Sequence, residues 1–535
     1  MKGALTFFCC LIPCLIWGQN CSQGTAYDSL NINHVNARIN SGGDLWGSLV
    51  NGAGYKVPAS SGVAALFAGA LWIGGYDGSG SLHMAAQTYR QNGTDYFPGP
   101  LNGQGQTTDP TCTNFDRLWK ITAQEVQTFL QTPNPIPNSI KQWPGKGNPN
   151  LPWLPNQALA PFVDINGDGL YNPADGDYPS FPGDEAIWWV YNDAGNLHTE
   201  TGGLPLGIEV QNMAYAFQSG DCLNDATFYH YYIQNKSAND YDSVYIGNWT
   251  DPDLGCFMDD NIGCDTANNM VMVYNADAFD ESCGVPGYGA NPPIVAIELL
   301  HTPLDAGQGA KMTNLMYYIN DFSAVGNPEV AMDYYHYLRS IWKDGSHLTY
   351  GGNGTGGSTP SNFAFPGEPA NAASWSMCSA GVSAFDAKWI QSNGPFHLGA
   401  GQSVCLDFAV VYDRTATSYP CPVYQFIRQQ GACCKVYFDQ LNLQCDGVPL
   451  GVALTKQPPL KLFPVPAPGG SLLTLQGPDV LSYRLLSADG RIWATAHGLP
   501  PGPVHISTGG VPSGIYLLQV QLLRGNTETL KLVIE

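Results

Sequence analysis

Glycine and proline punctuate this chain almost without a break, and that spacing limits what can form between them. There are 62 glycines and 40 prolines in 535 residues. Few stretches run long enough for a bundle of packed helices. Aromatic residues make up 12% of the chain and charged residues only 12%, so the intervening stretches read as buried strands joined by long ordered loops. The fold class expected is mainly β with a few helices, in a multi-domain chain with a β-sandwich-like body. At this length two or more domains with ample core are expected.

The acidic groups are concentrated. The stretch Phe162 to Asp177 reads F-V-D-I-N-G-D-G-L-Y-N-P-A-D-G-D. Asp164, Asn166 and Asp168 fall at positions 1, 3 and 5 of a twelve-residue calcium loop. Gly169 stands at position 6, where the backbone turns sharply. Leu170 offers its carbonyl at position 7, Asn172 falls at position 9, often served through water, and Asp175 at position 12. Asp instead of Glu at position 12 shortens the last arm, as in the dockerin-like extracellular loops that this stretch resembles. The cofactor expected is structural Ca2+; the plain alternative is an Asx-rich turn without metal. A second candidate metal cluster comprises Asp251, Asp253, Asp259, Asp260 and Asp265, whose spacing matches no standard loop. Its rival reading is a solvated acidic turn.

The formal net charge of −22 argues against nucleic acid and anionic lipid as partners. Lys2 followed by the apolar run Ala4 to Trp17 reads as a secretory signal peptide, residues 1–18, cleaved between Gly18 and Gln19. No later apolar run is long enough to span a bilayer, so no transmembrane segment is expected after signal removal. Three of the 15 cysteines, Cys9, Cys10 and Cys14, would leave with the signal peptide. The even number that remains implies disulfides in an oxidising compartment. Cys256 and Cys264 are expected to staple one loop, and Cys421, Cys433, Cys434 and Cys445 to pair among themselves.

Along the body, Ala64 to Gly75 reads as a buried strand, as do Ile187 to Tyr191 and Thr227 to Gln234. His230 inside the last of these is read as a packed residue. Thr122 to Glu125 forms a capping box for a helix carrying Val126, Phe129 and Leu130, which Pro133 stops. A second helix is expected from Asn327-Pro328 to Gly345, and a third over Pro422 to Gln440. The proline-rich stretch Trp143 to Pro161 reads as a loop. The expected division is 19–160 as an N-terminal β-rich region, 161–445 as a central β-rich domain, 446–460 as linker and 461–535 as a C-terminal domain.

That last segment alternates apolar and polar residues in short hairpins, as a small Ig-like β-sandwich does. It carries L-F-P-V-P-A at Leu462 to Ala467, with Pro464 and Pro466, and a turn at Asp489-Gly490-Arg491. S-G-I-Y-L-L-Q-V at Ser513 to Val520 contains Gly514 and Tyr516, and K-L-V-I begins at Lys531. These residues resemble the type A C-terminal sorting domain of the type IX secretion system of Bacteroidota, with Val465 in place of the usual asparagine. The resemblance implies type IX secretion machinery as a partner, and export to the cell surface or medium. The body is similar to a group of large secreted Bacteroidota proteins through A-L-W-I-G-G at Ala70, H-T-E-T-G-G at His198 and Y-L-R-S-I-W-K-D-G at Tyr337. That group brings no catalytic residues.

Neither H-E-x-x-H nor G-x-S-x-G occurs. The function expected is an exported structural or adhesion protein, stabilised by calcium and disulfides, and not an enzyme. The alternative is a glycan-binding or glycan-hydrolysing protein. It would use aromatic residues to stack on a surface polysaccharide, with acid pairs such as Asp184-Glu185 or Asp280-Glu281.

Overall fold

A computed structural model describes residues 20–535, apart from 48–49, 51, 92, 305–310, 416–418, 442, 444, 446–459, 477–479, 488–490, 497–502 and 523–526. The signal-peptide residues, including Gly18 and Gln19, lie outside the described residues, as do almost all of the linker and Gly490.

Two large antiparallel sheets make the body. The first has ten strands and runs from Asn314–Ile319 through Ala387–Leu398, Tyr241–Asp251 and Ala68–Asp77 to the short N-terminal strands. The second has nine. Its order is Asp260–Asp265, Met270–Asn275, Ile294–His301, Ser403–Asp413, Ala226–Asn235, Ile208–Ala216, Glu185–Asn192 and Phe97–Pro98, with Trp119–Thr122 also on Glu185–Asn192. The expected mainly β, sandwich-like architecture is what forms.

Every residue of Glu185–Asn192 is buried, because this sheet is covered on both faces. Ile187, Trp189 and Tyr191 enter the core between the sheets. Ala186, Trp188 and Val190 enter a second core beneath the helices Ala123–Gln131, Asn138–Lys141 and Gln425–Leu441. Double burial turns the usual alternation into a continuous apolar run. Across the first core the Trp46 indole donates to the Tyr229 hydroxyl at 2.8 Å, joining the two sheets. A Cβ on Gly69 would come 2.5 Å from the Trp46 ring, so the ring needs glycine there. The outer face of the first sheet is closed by the helix Ala331–Tyr337. Tyr334 packs on Trp72 at 4.7 Å and Tyr337 on Tyr318 at 5.4 Å between ring centroids.

Several expectations need correction. The boundary at 160/161 divides nothing, since Ala68–Asp77 pairs with Tyr241–Asp251 and Trp119–Thr122 with Glu185–Asn192. The proline-rich stretch Trp143 to Pro161 is a loop, as expected, and it is packed: Trp143 is fully buried and its indole donates to the Pro161 carbonyl at 2.8 Å. The helix expected from Asn327 starts only at Ala331, where the Asp333 carboxylate caps the Glu329 and Val330 amides. It ends well before Gly345, and Ser340 then takes a left-handed φ of 55°.

The cysteine pairing also differs. Cys256 bonds Cys283, not Cys264. Cys421 bonds Cys378, Cys433 bonds Cys222, Cys445 bonds Cys405, and Cys21 bonds Cys112. Cys264 and Cys434 are free and buried. Closeness in sequence misled because strand direction decides the partner: Cys264 points into the core between the sheets, away from Cys256.

The C-terminal segment has its own core. The strands Lys461–Phe463, Leu472–Gln476 and Val504–Ser507 form one sheet. Ile492–Ala496, Val480–Ser487, Gly514–Leu522 and Thr527–Ile534 form the other. The last hairpin pairs Tyr516 with Leu532 and Leu518 with Leu530, and Tyr516, Leu518, Val520, Leu532 and Ile534 are buried together.

Candidate functional site

The loop at Asp164 hangs from a two-stranded ribbon, in which Phe162 faces Pro179 and Val163 faces Tyr178. Gly167 and Gly169 take φ of 77° and 76°, which brings the chain back on itself. Both Asp164 oxygens accept backbone amides, Gly167 on Oδ1 and Gly169 on Oδ2, each at 2.7 Å. Those amides, that of Gly169 first, hold the Asp164 carboxyl below its usual range, so it is an anion at neutral pH. Asn166 and Asp168 bond each other, and Asp168 Oδ1 accepts the Leu170 amide at 2.8 Å. The Asn172 amide donates to Asp175 at 2.7 Å. Asp177 is fully buried and ties the neck, accepting Ile165 and Asn172 amides at 2.8 Å each. Asp164, Asn166, Asp168, Asn172 and Asp175 present an oxygen-only donor set, as the Leu170 carbonyl does, and this chemistry fits calcium.

The second candidate cluster divides in space. Asp251 and Asp253 come together with Asp386, one ligand oxygen of each lying within 4.8 Å of the others. Asp251 ends one strand and Asp386 immediately precedes the strand paired with it. Burial first, and then the neighbouring carboxylates, push Asp253 up to about 9. Burial pushes Asp251 up to about 6 against the pull of Lys388. Lys388, itself buried, pairs with Asp386 and stands 3.8 Å from Asp251. Asp260 is buried and accepts the Leu254 amide at 2.9 Å, while Asp259 stands beside Asp280 and Glu281. Asp265 leaves the cluster. It sits at the far end of the strand Asp260–Asp265, about 16 Å away at strand rise, where Arg428 pairs with it.

A small pocket of about 20 Å³ lies on the helix-covered face of the second sheet. Pro161, Pro182, Trp188, Met213, Tyr215, Tyr232 and Leu443 give it apolar walls, and Gln211 and His230 polar ones. His230 Nδ1 lies 2.7 Å from Asp407 Oδ1, and His301 Nδ1 lies 3.2 Å from Asp407 Oδ2. Burial pushes the Asp407 carboxyl up, but the two imidazoles outweigh it and hold it below its ordinary value. An ionised carboxylate only accepts, so His230 donates through Nδ1 and its neutral form keeps Nε2 as an acceptor. His230 is packed, as expected from the sequence, and is also oriented.

The acid pairs do not cooperate. Asp184 accepts the Gln218 amide, whereas Glu185 takes Lys120 at 2.9 Å and the Asn31 amide at 2.6 Å. Asp280 accepts the amides of Cys256 and Tyr288. Among the described residues no tryptophan is exposed.

In the C-terminal unit, Pro464 and Pro466 follow the strand Lys461–Phe463, and Ala467 then bridges to Ile534. Gly514 opens its strand, Tyr516 donates to the Pro512 carbonyl at 2.7 Å, and Lys531 is exposed opposite Leu517. Gly490 is outside the described residues.

Asp177, Asp386, Lys388 and Asp407 are the functional candidates that sequence reasoning missed. Asp177 closes the quoted stretch and was legible there. Asp386 and Asp407 lie more than a hundred residues from their partners, and only strand register brings them in.

No family model matches the chain, and no curated protein matches it. Among solved structures it is similar to a polysaccharide lyase at 7% identity and a TM-score of 0.18, covering 72% of this chain and 41% of that one. It is also similar to the BSP domain of a biofilm-associated protein at 9% identity and a TM-score of 0.14, covering 65% of this chain and 59% of that one. The chain therefore spans less than two thirds of either neighbour, and TM-scores this low carry no function from one protein to the other.

Proposed function

We propose that this protein is an exported structural or adhesive component of the cell surface or extracellular space, stabilised by disulfides and by calcium at Asp164–Asp175. The observation that supports this most is the set of five disulfides across the body, one of which joins residues 211 apart in sequence. Such a framework persists where the compartment is oxidising. Type IX export through the C-terminal unit is part of the same reading. Removing 461–535 should leave the body in the periplasm, followed by surface labelling of intact cells. Normal surface display of the truncated chain would refute the sorting role.

A second reading, glycan binding, is not favoured by the pocket at His230, whose volume of about 20 Å³ holds about one water. Trp188 and Tyr215 beside it are buried and offer no ring face to a sugar, although Asp407 fixes the imidazole as an acceptor. The hydrolytic form of that reading lacks support, because Asp184, Glu185 and Asp280 are spent on backbone amides and Lys120. A glycan array run beside a polysaccharide hydrolysis panel separates the readings. Hydrolysis abolished by one carboxylate substitution would overturn the structural one.

A further inference from the structure

We propose that Asp251, Asp253 and Asp386 form a second calcium site, independent of the loop at Asp164–Asp175. The three ligands are placed by rigid elements. Thr250 pairs with Trp389, so the register continued by one step sets Asp251 opposite Lys388, with Asp386 two residues further along and within reach. Pro252 fixes the step to Asp253. A span of up to 4.8 Å between ligand oxygens fits calcium bonds of about 2.3–2.6 Å. An all-oxygen set without His or Cys excludes the softer transition metals as natural occupants.

Without a cation, the excess negative charge is relieved only by keeping Asp253 protonated. Lys388 supplies one positive charge, spent chiefly on Asp386, against three carboxylates. Asp251 is only 5% exposed, and its Oδ2 takes the Tyr89 hydroxyl at 2.5 Å. Its Oδ1 accepts no hydrogen bond and faces the Lys388 ammonium at 3.8 Å. A buried carboxylate oxygen without a donor calls for an ion or a water. Crowding by two further carboxylates favours the ion over water. A solvated acidic turn, the rival account, would leave Asp251 exposed. Asp253 is half-buried, which leaves a path for the ion and room for water ligands.

The test uses the full-length mature protein and calcium alone as probe. Bound calcium is counted by equilibrium dialysis and calorimetry for wild type, Asp253→Asn, Asp386→Asn and Asp168→Ala. Asp253→Asn and Asp386→Asn should each lose one equivalent, or weaken it at least tenfold, while Asp168→Ala retains that equivalent. Terbium in place of calcium adds a local readout. Trp249 packs on Tyr89 at 5.2 Å, so emission excited through tryptophan should fall in Asp253→Asn. Melting in chelator checks folding. If Asp386→Asn fails to fold once Lys388 loses its partner, Asp253→Asn still decides the question. Wild-type stoichiometry and affinity in Asp253→Asn, with unchanged terbium emission, would overturn the proposal.

Discussion

Glu298 gives the sharpest test of how the helix Gln425–Leu441 is seated. It projects from the strand Ile294–His301 toward that helix and is 4% exposed. A Cβ on Gly431 would lie 2.6 Å from its Oε2, so the glycine that weakens the helix in sequence terms lets helix and carboxyl approach. Oε2 has no hydrogen-bond partner. Burial pushes the carboxyl from the ordinary 4.5 up to about 8, although Lys435 pulls the other way. Because the folded value is raised, the stability linked to Glu298 is fully present below about pH 4.5. It is lost as pH rises through about 8.

At about 1.4 kcal/mol per pH unit, the linked loss between pH 5 and 8 is on the order of 4 kcal/mol. Glu298→Gln carries no charge at any pH and should lack that share of the slope. The two proteins should be nearly equal at pH 5, with the variant the more stable by a few kcal/mol at pH 8. Urea unfolding followed by tryptophan fluorescence measures this, since of the described tryptophans only Trp493 lies in the C-terminal unit. Other buried acids such as Glu200, pushed up to about 7, add their own slope to both proteins, so the difference isolates Glu298. Parallel stability curves for wild type and variant across this range would refute the reasoning.

Chelation should lower the melting temperature and expose the Trp143–Asp177 region to protease. At free calcium ten times Kd the linked stabilisation is about 1.4 kcal/mol. Asp168→Ala should mimic chelation and Asn172→Ala should do less, and calorimetry that finds neither protein shifted by chelator would reduce the loop to a polar turn. Thiol mapping should find ten body cysteines in disulfides, with Cys264 and Cys434 alkylated only after denaturation, because both are buried with their thiols pushed up by burial. Rapid labelling of either in the native protein would contradict that placement.

What the sequence made legible follows from how local each signal is. The capping box at Thr122 and Glu125 forms as expected, with Val126 and Phe129 buried, because its partners are three residues apart. Leu130, expected on the same face, stays 41% exposed, since a stripe in sequence does not say how far a neighbouring element reaches. The strands at Glu185 and Ala226 are legible from aromatic and β-branched runs, and so is the final hairpin from strict alternation. The loop at Asp164 is legible because its donors, turn glycines and neck all fall within sixteen residues.

The candidate sites built across the sheets were not legible, for the opposite reason. Asp407 meets His230 across a strand pair 177 residues apart, and Asp386 meets Asp251 across another. A one-residue shift in either register would turn the carboxylate to the other face and dissolve the site. Register in turn rests on double burial of the second sheet and on packing such as Trp46 against Gly69, which no local pattern announces. The same logic explains the cysteines: Cys222 and Cys433 pair because the helix Gln425–Leu441 packs against the 3-10 turn Cys222–Asp225, which leads into the strand Ala226–Asn235. In this chain chemistry is placed by strand register, so the residues with most to say about function are those whose partners lie farthest away in sequence.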